Sequence, residues 1–404
     1  MQPHAGRPAT LAAVTRSRVR GAAMSPSTPT PATTLRGTSA ITLAVLATVA
    51  LPLRLAGQTP PTVSVPDEVS CARCTIRMSL VARLRSADGP GSIDFMPHAV
   101  RVDALSRYWV MDHQDLPKVF DETGRFVQVV GARGDGPGEF RNPLDAVAIG
   151  DSVLVMDYAL RRATVVGPSL NPVRSIAMRW GFASPLVLAW PQEVVAAASI
   201  NTPDRAGLRL HRVSFEQDPA AVVTSFGPYG GEMRPGRDVF QRISVNTTGR
   251  TFWTADLNRY ALHEWSVDGK ELHSLWRRQS WFPEDSRGTI GGRRTPPSPA
   301  VASLSEDATG LIWVFIWLPK STWRDAWPPE VPGKREYSPR EIAVEKLRTT
   351  VVEVINPRTS RVVARQPLDA YVVNALPLRR AVLYSVDPTG FPVVSVVSLQ
   401  LERR

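Results

Sequence analysis

Few residues in this chain have the means to do chemistry. There are six histidines and two cysteines among 404 residues. His98 precedes the apolar run Ala99-Val-Arg-Val102, and His113 directly follows Asp112. Histidine is the usual metal ligand and general base near neutral pH, so these two are the weak catalytic candidates. Asp112, Asp157 and Asp256 each end a short apolar run. Carboxylates brought together there would suit calcium, which takes several oxygens. An aspartate at such a position also caps a loop by accepting backbone N–H groups, and that role is expected of these three. No motif demands a cofactor, and calcium or zinc is the ion such residues would accept. His211, His263 and His273 lie inside strand-like runs, where packed or surface histidines are expected. The chain has no G-x-S-x-G elbow, no H-E-x-x-H and no phosphate-binding P-loop.

Cys71 and Cys74 form C-x-x-C. Haem attachment needs a histidine next, where this chain has Thr75. A closed zinc site needs about four ligands, and no nearby histidine completes one. A thioredoxin-like pair opens a helix, whereas Thr75 to Leu84 reads as a strand. A structural disulfide, permitted outside the cytoplasm, is the expectation.

Recognition residues are easier to find than catalytic ones. Trp323, Arg324 and Trp327 stand in a segment that interrupts the strand pattern between Leu318 and Thr349. Trp281 lies in a second long loop, 277–298. Tryptophan and arginine are common binding anchors. Arg141 and Asp145, at the entrance to a strand, complete the candidate binding set. Ser338-Pro339-Arg340-Glu341 reads as a capping box, predicting a short helix before Thr349.

These residues must be positioned by a repeat of short strands. Asp145–Ile149, Ser152–Met156, Ala163–Val166 and Val173–Ala177, joined by turn residues, form one four-stranded antiparallel unit. A unit with the same order begins at Ala99, another at Ile243, and Asp112 and Asp157 lie 45 residues apart. Val194–Ser199, Leu208–Ser214 and Ala221–Phe226 supply the unit between. A fifth begins at Ala300 and a sixth at Tyr371. Four strands in each 40–50 residues predict an all-β, six-bladed propeller. The last unit lacks an outer strand, and Ile76–Leu84 is placed to supply it and close the ring. Closure removes open sheet edges, which two β-sandwiches, the alternative arrangement, would keep. The expected division is a targeting segment at 1–57, a linker with Cys71 and Cys74 at 58–75, and the propeller at 76–404 with an insertion at about 319–348.

The segment Gly131-Ala-Arg-Gly134-Asp-Gly136-Pro-Gly138-Glu-Phe140-Arg-Asn-Pro143, followed by a strand, a turn and Val153-Leu-Val-Met-Asp157, resembles an NHL-type repeat. The match covers about 124–167 and is weaker around 88–121 and 242–278. The whole chain resembles secreted bacterial six-bladed propellers related to NHL repeats. That family includes binding scaffolds, lyases and lactone hydrolases, so the resemblance implies the fold more firmly than an activity. It also implies that the strand-ending aspartates open at one face, around a central channel. Zinc-dependent lyases of this type hold the metal with channel histidines. Here Leu144 stands at the position matching His98, and Tyr158 and Leu257 at those matching His113.

Composition fits an exported globular protein. The chain is 43% hydrophobic and carries 48 Lys+Arg against 37 Asp+Glu, a net charge of +11. Six of those arginines fall in residues 1–57, which have no acidic residue, and without them the excess is +5. No basic cluster interleaved with aromatics marks a nucleic-acid surface. The run from Ala40 to Leu53 is too short to span a bilayer and follows Arg36, which describes a secretory signal cleaved between Ala50 and Gln58, with Met24 as an alternative start. The expectation is a secreted or periplasmic monomer with no transmembrane domain after cleavage. It would bind a protein, peptide or carbohydrate through its mouth loops without catalysing a reaction. The alternative is a metal-dependent lyase or hydrolase of lactone or ester type at the central channel, using His98, His113 and mouth carboxylates.

Overall fold

The computed structural model describes residues 62–403, apart from 86–88, 113–114, 181–185, 191, 199, 201, 229–240, 245–249, 258, 284–290, 332–336 and 338. His113 and the targeting segment lie outside the described residues. Six antiparallel sheets follow one another along the chain. Blade 1 comprises Ala99–Val102, Tyr108–Met111, Lys118–Phe120 and Phe126–Val129. Blade 2 runs from Pro143 to Ala177, blade 3 from Leu186 to Pro228 and blade 4 from Gln241 to Trp276. Blade 5 runs from Ala300 to Leu368 and blade 6 from Tyr371 to Arg403. The first strand of each blade is innermost. Neighbouring blades meet in ring order through these inner strands, the inner strand of blade 4 against the second strand of blade 3, and blade 6 meeting blade 1.

Alternation along the strands explains the packing. Successive side chains of a strand point to opposite faces, and each blade is covered by a neighbour on both faces, so both sets are apolar. Ile312–Pro319 of blade 5 shows this: Ile312, Val314 and Ile316 pack toward blade 4, while Trp313 and Phe315 pack toward blade 6. The turns use aspartate repeatedly. Asp307 Oδ1 accepts from the Thr309 and Leu311 amides at 2.9 and 3.1 Å, and Oδ2 accepts from the Trp313 indole at 2.9 Å. Asp103 bonds Trp109 in the same way, also at 2.9 Å. The sequence D-x-T-G occurs at Asp121, Asp307 and Asp387, and builds the same threonine-amide bond each time.

The ring closes as the strand pattern predicts. Cys74–Leu84 pairs antiparallel with Pro392–Arg403 and becomes the outer strand of blade 6. The residues just before it were expected to form a linker, yet they lie against the body. Thr62–Ser64 adds a fifth, parallel strand to blade 4. Val65 is buried in the core between blades 4 and 5. The Ser70 amide donates to the Val362 carbonyl at 2.7 Å, and Val69 bridges Val362. Beyond the closing strand, Arg85 bridges Arg125 of blade 1. One N-terminal segment thus touches blades 4, 5, 6 and 1. Cys71 and Cys74 form a disulfide with a Cα–Cα distance of 5.3 Å, at the point where this segment turns into the closing strand.

His211, on the third strand of blade 3, is 0% exposed. Its Nδ1 lies 2.8 Å from Ser225 Oγ and its Nε2 3.2 Å from the Ala198 carbonyl. Burial depresses its pKa from 6.5 to about 4. The unfolded chain takes up this proton as pH falls below about 6.5, and the folded chain does not until about pH 4. The stabilisation is therefore complete above pH 6.5 and is lost on acidification toward pH 4, a change of roughly 3 kcal/mol. Urea unfolding at pH 7 and pH 4.5 should show this loss. His211→Gln should flatten the pH dependence, whatever its own cost at pH 7.

Candidate functional site

The face where inner strands begin and second strands end is the channel mouth. The candidate aspartates sit there, and each is engaged. Asp157 Oδ2 accepts from the Arg141 and Asn142 amides at 2.7 and 3.1 Å, and Oδ1 from the Leu160 amide at 2.9 Å. This is the loop-capping geometry expected of a strand-ending aspartate. Asp256 pairs with Arg209 of blade 3 at 3.1 Å, both side chains being buried. Asp112 pairs with Arg340 at 2.5 Å. The three stand on blades 2, 4 and 1. Among the described residues no three His, Cys, Asp or Glu side chains come together as a metal-holding group. His98 is half-buried at the entrance to blade 1, its amide donating to the Met111 carbonyl at 2.8 Å.

The glycine-rich segment before blade 2 folds on itself. Ala132–Arg133 and Glu139–Phe140 pair as two short parallel strands. Gly131 has φ +74°, and a Cβ there would meet the Gly138 carbonyl at 2.5 Å and the Phe140 ring at 2.6 Å. Only glycine fits both demands. Arg141 projects from this segment, exposed, and pairs with Asp135. Asp145 is buried on the inner strand of blade 2 and receives a bidentate pair from Arg101 of blade 1, at 2.7 and 2.8 Å.

The insertion leaves the second strand of blade 5 at Pro319 and returns at Arg348. The helix expected after Ser338 is present as a 3₁₀ turn, Pro339–Glu341, and a short α-helix, Val344–Leu347, and a further 3₁₀ turn, Trp323–Ala326, precedes them. Ser338, the predicted cap, lies outside the described residues. Trp323, 6% exposed, packs with Ala326, Ile342 and Leu347, and Trp327 lies against this small core. Arg324 is exposed, its guanidinium over the Trp323 ring at 4.4 Å. These tryptophans give the insertion a core of its own. Trp281 meets Tyr260 and Phe282 edge-on, with Arg365 over its ring at 5.3 Å.

The insertion acts as a strap along the mouth. Val344 packs on the core between blades 6 and 1. Arg340 reaches Asp112 and covers the Phe95 ring at 4.3 Å, both on or beside blade 1. From the other side Arg293 of the 277–298 loop donates to the Pro328 carbonyl and covers the Tyr337 ring at 4.7 Å. The strap therefore joins the loop after blade 4 to blade 1.

Beside the strap lies a cluster absent from the sequence-level candidates. Arg348 begins the third strand of blade 5, Arg242 is on the inner strand of blade 4, and Tyr371 begins the inner strand of blade 6. Trp317 joins them. Its indole stacks on Tyr371 with centroids 5.1 Å apart at 26°, and its N–H donates to the Val372 carbonyl at 2.8 Å. Arg242 and Arg348 each lie over the Trp317 ring, at 5.6 and 5.2 Å. Arg348 is 3% exposed, and among the described residues neither of its Nη nitrogens has a hydrogen-bond partner. Burial, with a contribution from the nearby Arg242 charge, lowers the Arg348 pKa to about 10. Burial also lowers Arg242, with Arg101 adding repulsion. Burial pushes Tyr371 up to about 12, against the pull of both arginines. Sequence inspection missed the group because its members come from three blades and share no motif. A lone arginine at a strand start, such as Arg348, was the available signal.

No protein-family model matches the chain, and no curated protein matches it. Solved structures do. A candidate exported protein from Bacteroides fragilis aligns over 84% of this chain and 99% of its own, at 10% identity and a TM-score of 0.52. A member of the DUF4221 family from Bacteroides vulgatus aligns over 81% and 99%, at 8% identity and 0.53. The chain is a six-bladed β-propeller structurally similar to these Bacteroides proteins, at identities that speak to the fold alone.

Proposed function

We propose that this chain is an exported binding propeller that recognises its ligand at the channel mouth, beneath and beside the strap. The observation that carries this reading is the cationic and aromatic cluster of Arg242, Arg348, Trp317 and Tyr371, set where loops from several blades converge. A rigid ring holding side chains from separate strands is suited to recognition, because the groups are positioned before the ligand arrives. Export is supported by the apolar run after Arg36, by the Cys71–Cys74 disulfide, and by the likeness to a candidate exported protein. NHL kinship rests on the Gly131–Pro143 segment and belongs to the same proposal.

The test is thermal unfolding of the protein in fractions of small molecules extracted from its host's envelope. A bound ligand at about 100 times its Kd adds roughly 2.7 kcal/mol, enough to raise the midpoint by several degrees. At least one fraction should do so for the intact protein. It should fail to do so for a variant in which residues 320–347 are replaced by a short turn. Equal shifts in both proteins would move the site away from the mouth.

A further inference from the structure

The geometry points to Arg242 and Arg348 as an oxyanion site, which takes the carboxylate or phosphate group of a small ligand beside Trp317 and Tyr371. This rests on the binding reading above and names the ligand's chemistry. The argument begins with charge. Arg348 is 3% exposed, and a buried guanidinium is normally paired with a carboxylate or with carbonyl oxygens. This chain follows that rule elsewhere: Arg101 holds Asp145, Arg209 holds Asp256, and Arg277 holds Glu353. Arg348 departs from it, with both Nη nitrogens unpartnered among the described residues. Arg242 has one long bond, to the Val301 carbonyl at 3.4 Å, and no carboxylate among the described residues pairs with it.

Two guanidinium groups over one indole repel each other, and burial strengthens that repulsion. Trp317 offsets part of the cost through its ring face, since cation–π attraction is largest for tryptophan. It supplies no hydrogen-bond acceptors for the Nη donors. An anion with two or three oxygens supplies both missing elements, negative charge and acceptors. The planar donor fork of arginine matches carboxylate and phosphate in a bidentate manner. Arg242 and Trp317 keep partial exposure.

Calorimetric titration of the folded protein with inorganic phosphate alone and with benzoate alone tests this. Saturable binding of at least one anion is expected, at a Kd of about 1 mM or tighter, weakening as sodium chloride is raised. Phosphate binding without benzoate binding assigns a phosphate ligand, and the reverse assigns a carboxylate. Arg348→Met should weaken the bound anion at least roughly tenfold while leaving the midpoint of the ligand-free protein unchanged or higher, because an unpaired buried charge has been removed. Arg242→Met should weaken binding in the same direction and reports independently if the first variant misfolds. No saturable heat with either anion, or a ligand-free Arg348→Met protein whose midpoint falls sharply, would overturn the assignment. If envelope fractions still shift the midpoint in a strap-dependent way in Arg348→Met, the oxyanion assignment fails while mouth binding stands. If they shift neither protein, mouth binding of an envelope ligand fails, and the anion titration alone decides the oxyanion site.

Discussion

A chain shortened to begin at residue 90 is expected to lose cooperative folding. The deletion removes Cys74–Leu84 from blade 6, Thr62–Ser64 from blade 4 and the Arg85 bridge to blade 1. The closing strand runs in register from Cys74 opposite Arg403 to Leu84 opposite Val394, with one bulge between Leu80 and Ala82. Its loss leaves Pro392–Arg403 as a bare edge, and bare edges recruit other chains. Ile76 and Leu84 are buried, and full burial of such side chains is worth roughly 1.5–3 kcal/mol each. Urea unfolding of the shortened chain should be broad, with a lower slope, and static light scattering should report association. A synthetic peptide spanning 74–85 should restore a sharp transition. A sharp transition at an unchanged midpoint in the shortened chain would show that the ring holds without its closing strand.

Glu353→Ala should be the most damaging single substitution. Glu353 is 0% exposed on the third strand of blade 5. Its Oε1 takes the Arg277 Nη2 at 3.0 Å and the Arg365 Nε at 2.6 Å, and its Oε2 takes the Tyr260 hydroxyl. Arg277 also reaches the Pro66 carbonyl at 2.8 Å and Asp67 at 3.0 Å, which ties the N-terminal segment to blades 4 and 5. Arg277 is itself buried, so removing Glu353 strands a charge next to a cavity. Breaking a buried pair from one side costs about 3–5 kcal/mol. The double variant Glu353→Leu with Arg277→Met should recover most of that loss, because it removes both charges. Urea midpoints for the single and double variants check this. A loss under about 1 kcal/mol in Glu353→Ala would mean that water or Asp67 replaces the carboxylate.

The blade count, the outer strand at the chain's start and the strap's origin were legible from the chain. Period-2 apolar runs with tight turns leave few other arrangements, and a sixth unit short of one strand calls for Ile76–Leu84. Short apolar runs are local features, so they can be read locally. The partners of particular side chains are not local. Trp323 and Trp327 read as binding anchors, whereas the first packs with Ile342 and Leu347 from the far side of the same insertion. Nothing near Trp323 in sequence announces that. The residues before Cys74 read as linker because they carry no alternating pattern, yet they are held by Arg277, Arg365 and the Val362 backbone, 200 to 300 positions away.

The sequence alone thus determined the architecture, through strand period, turn chemistry and a disulfide between near neighbours. Side-chain pairing across blades belonged to the tertiary structure. Arg101 finds Asp145, Arg340 finds Asp112, and Arg242 meets Arg348 over Trp317 only when the ring closes. The physical reason is range. Backbone preference and apolar periodicity act over a few residues, while a guanidinium's neighbours are set by where six separate sheets bring their inner ends together.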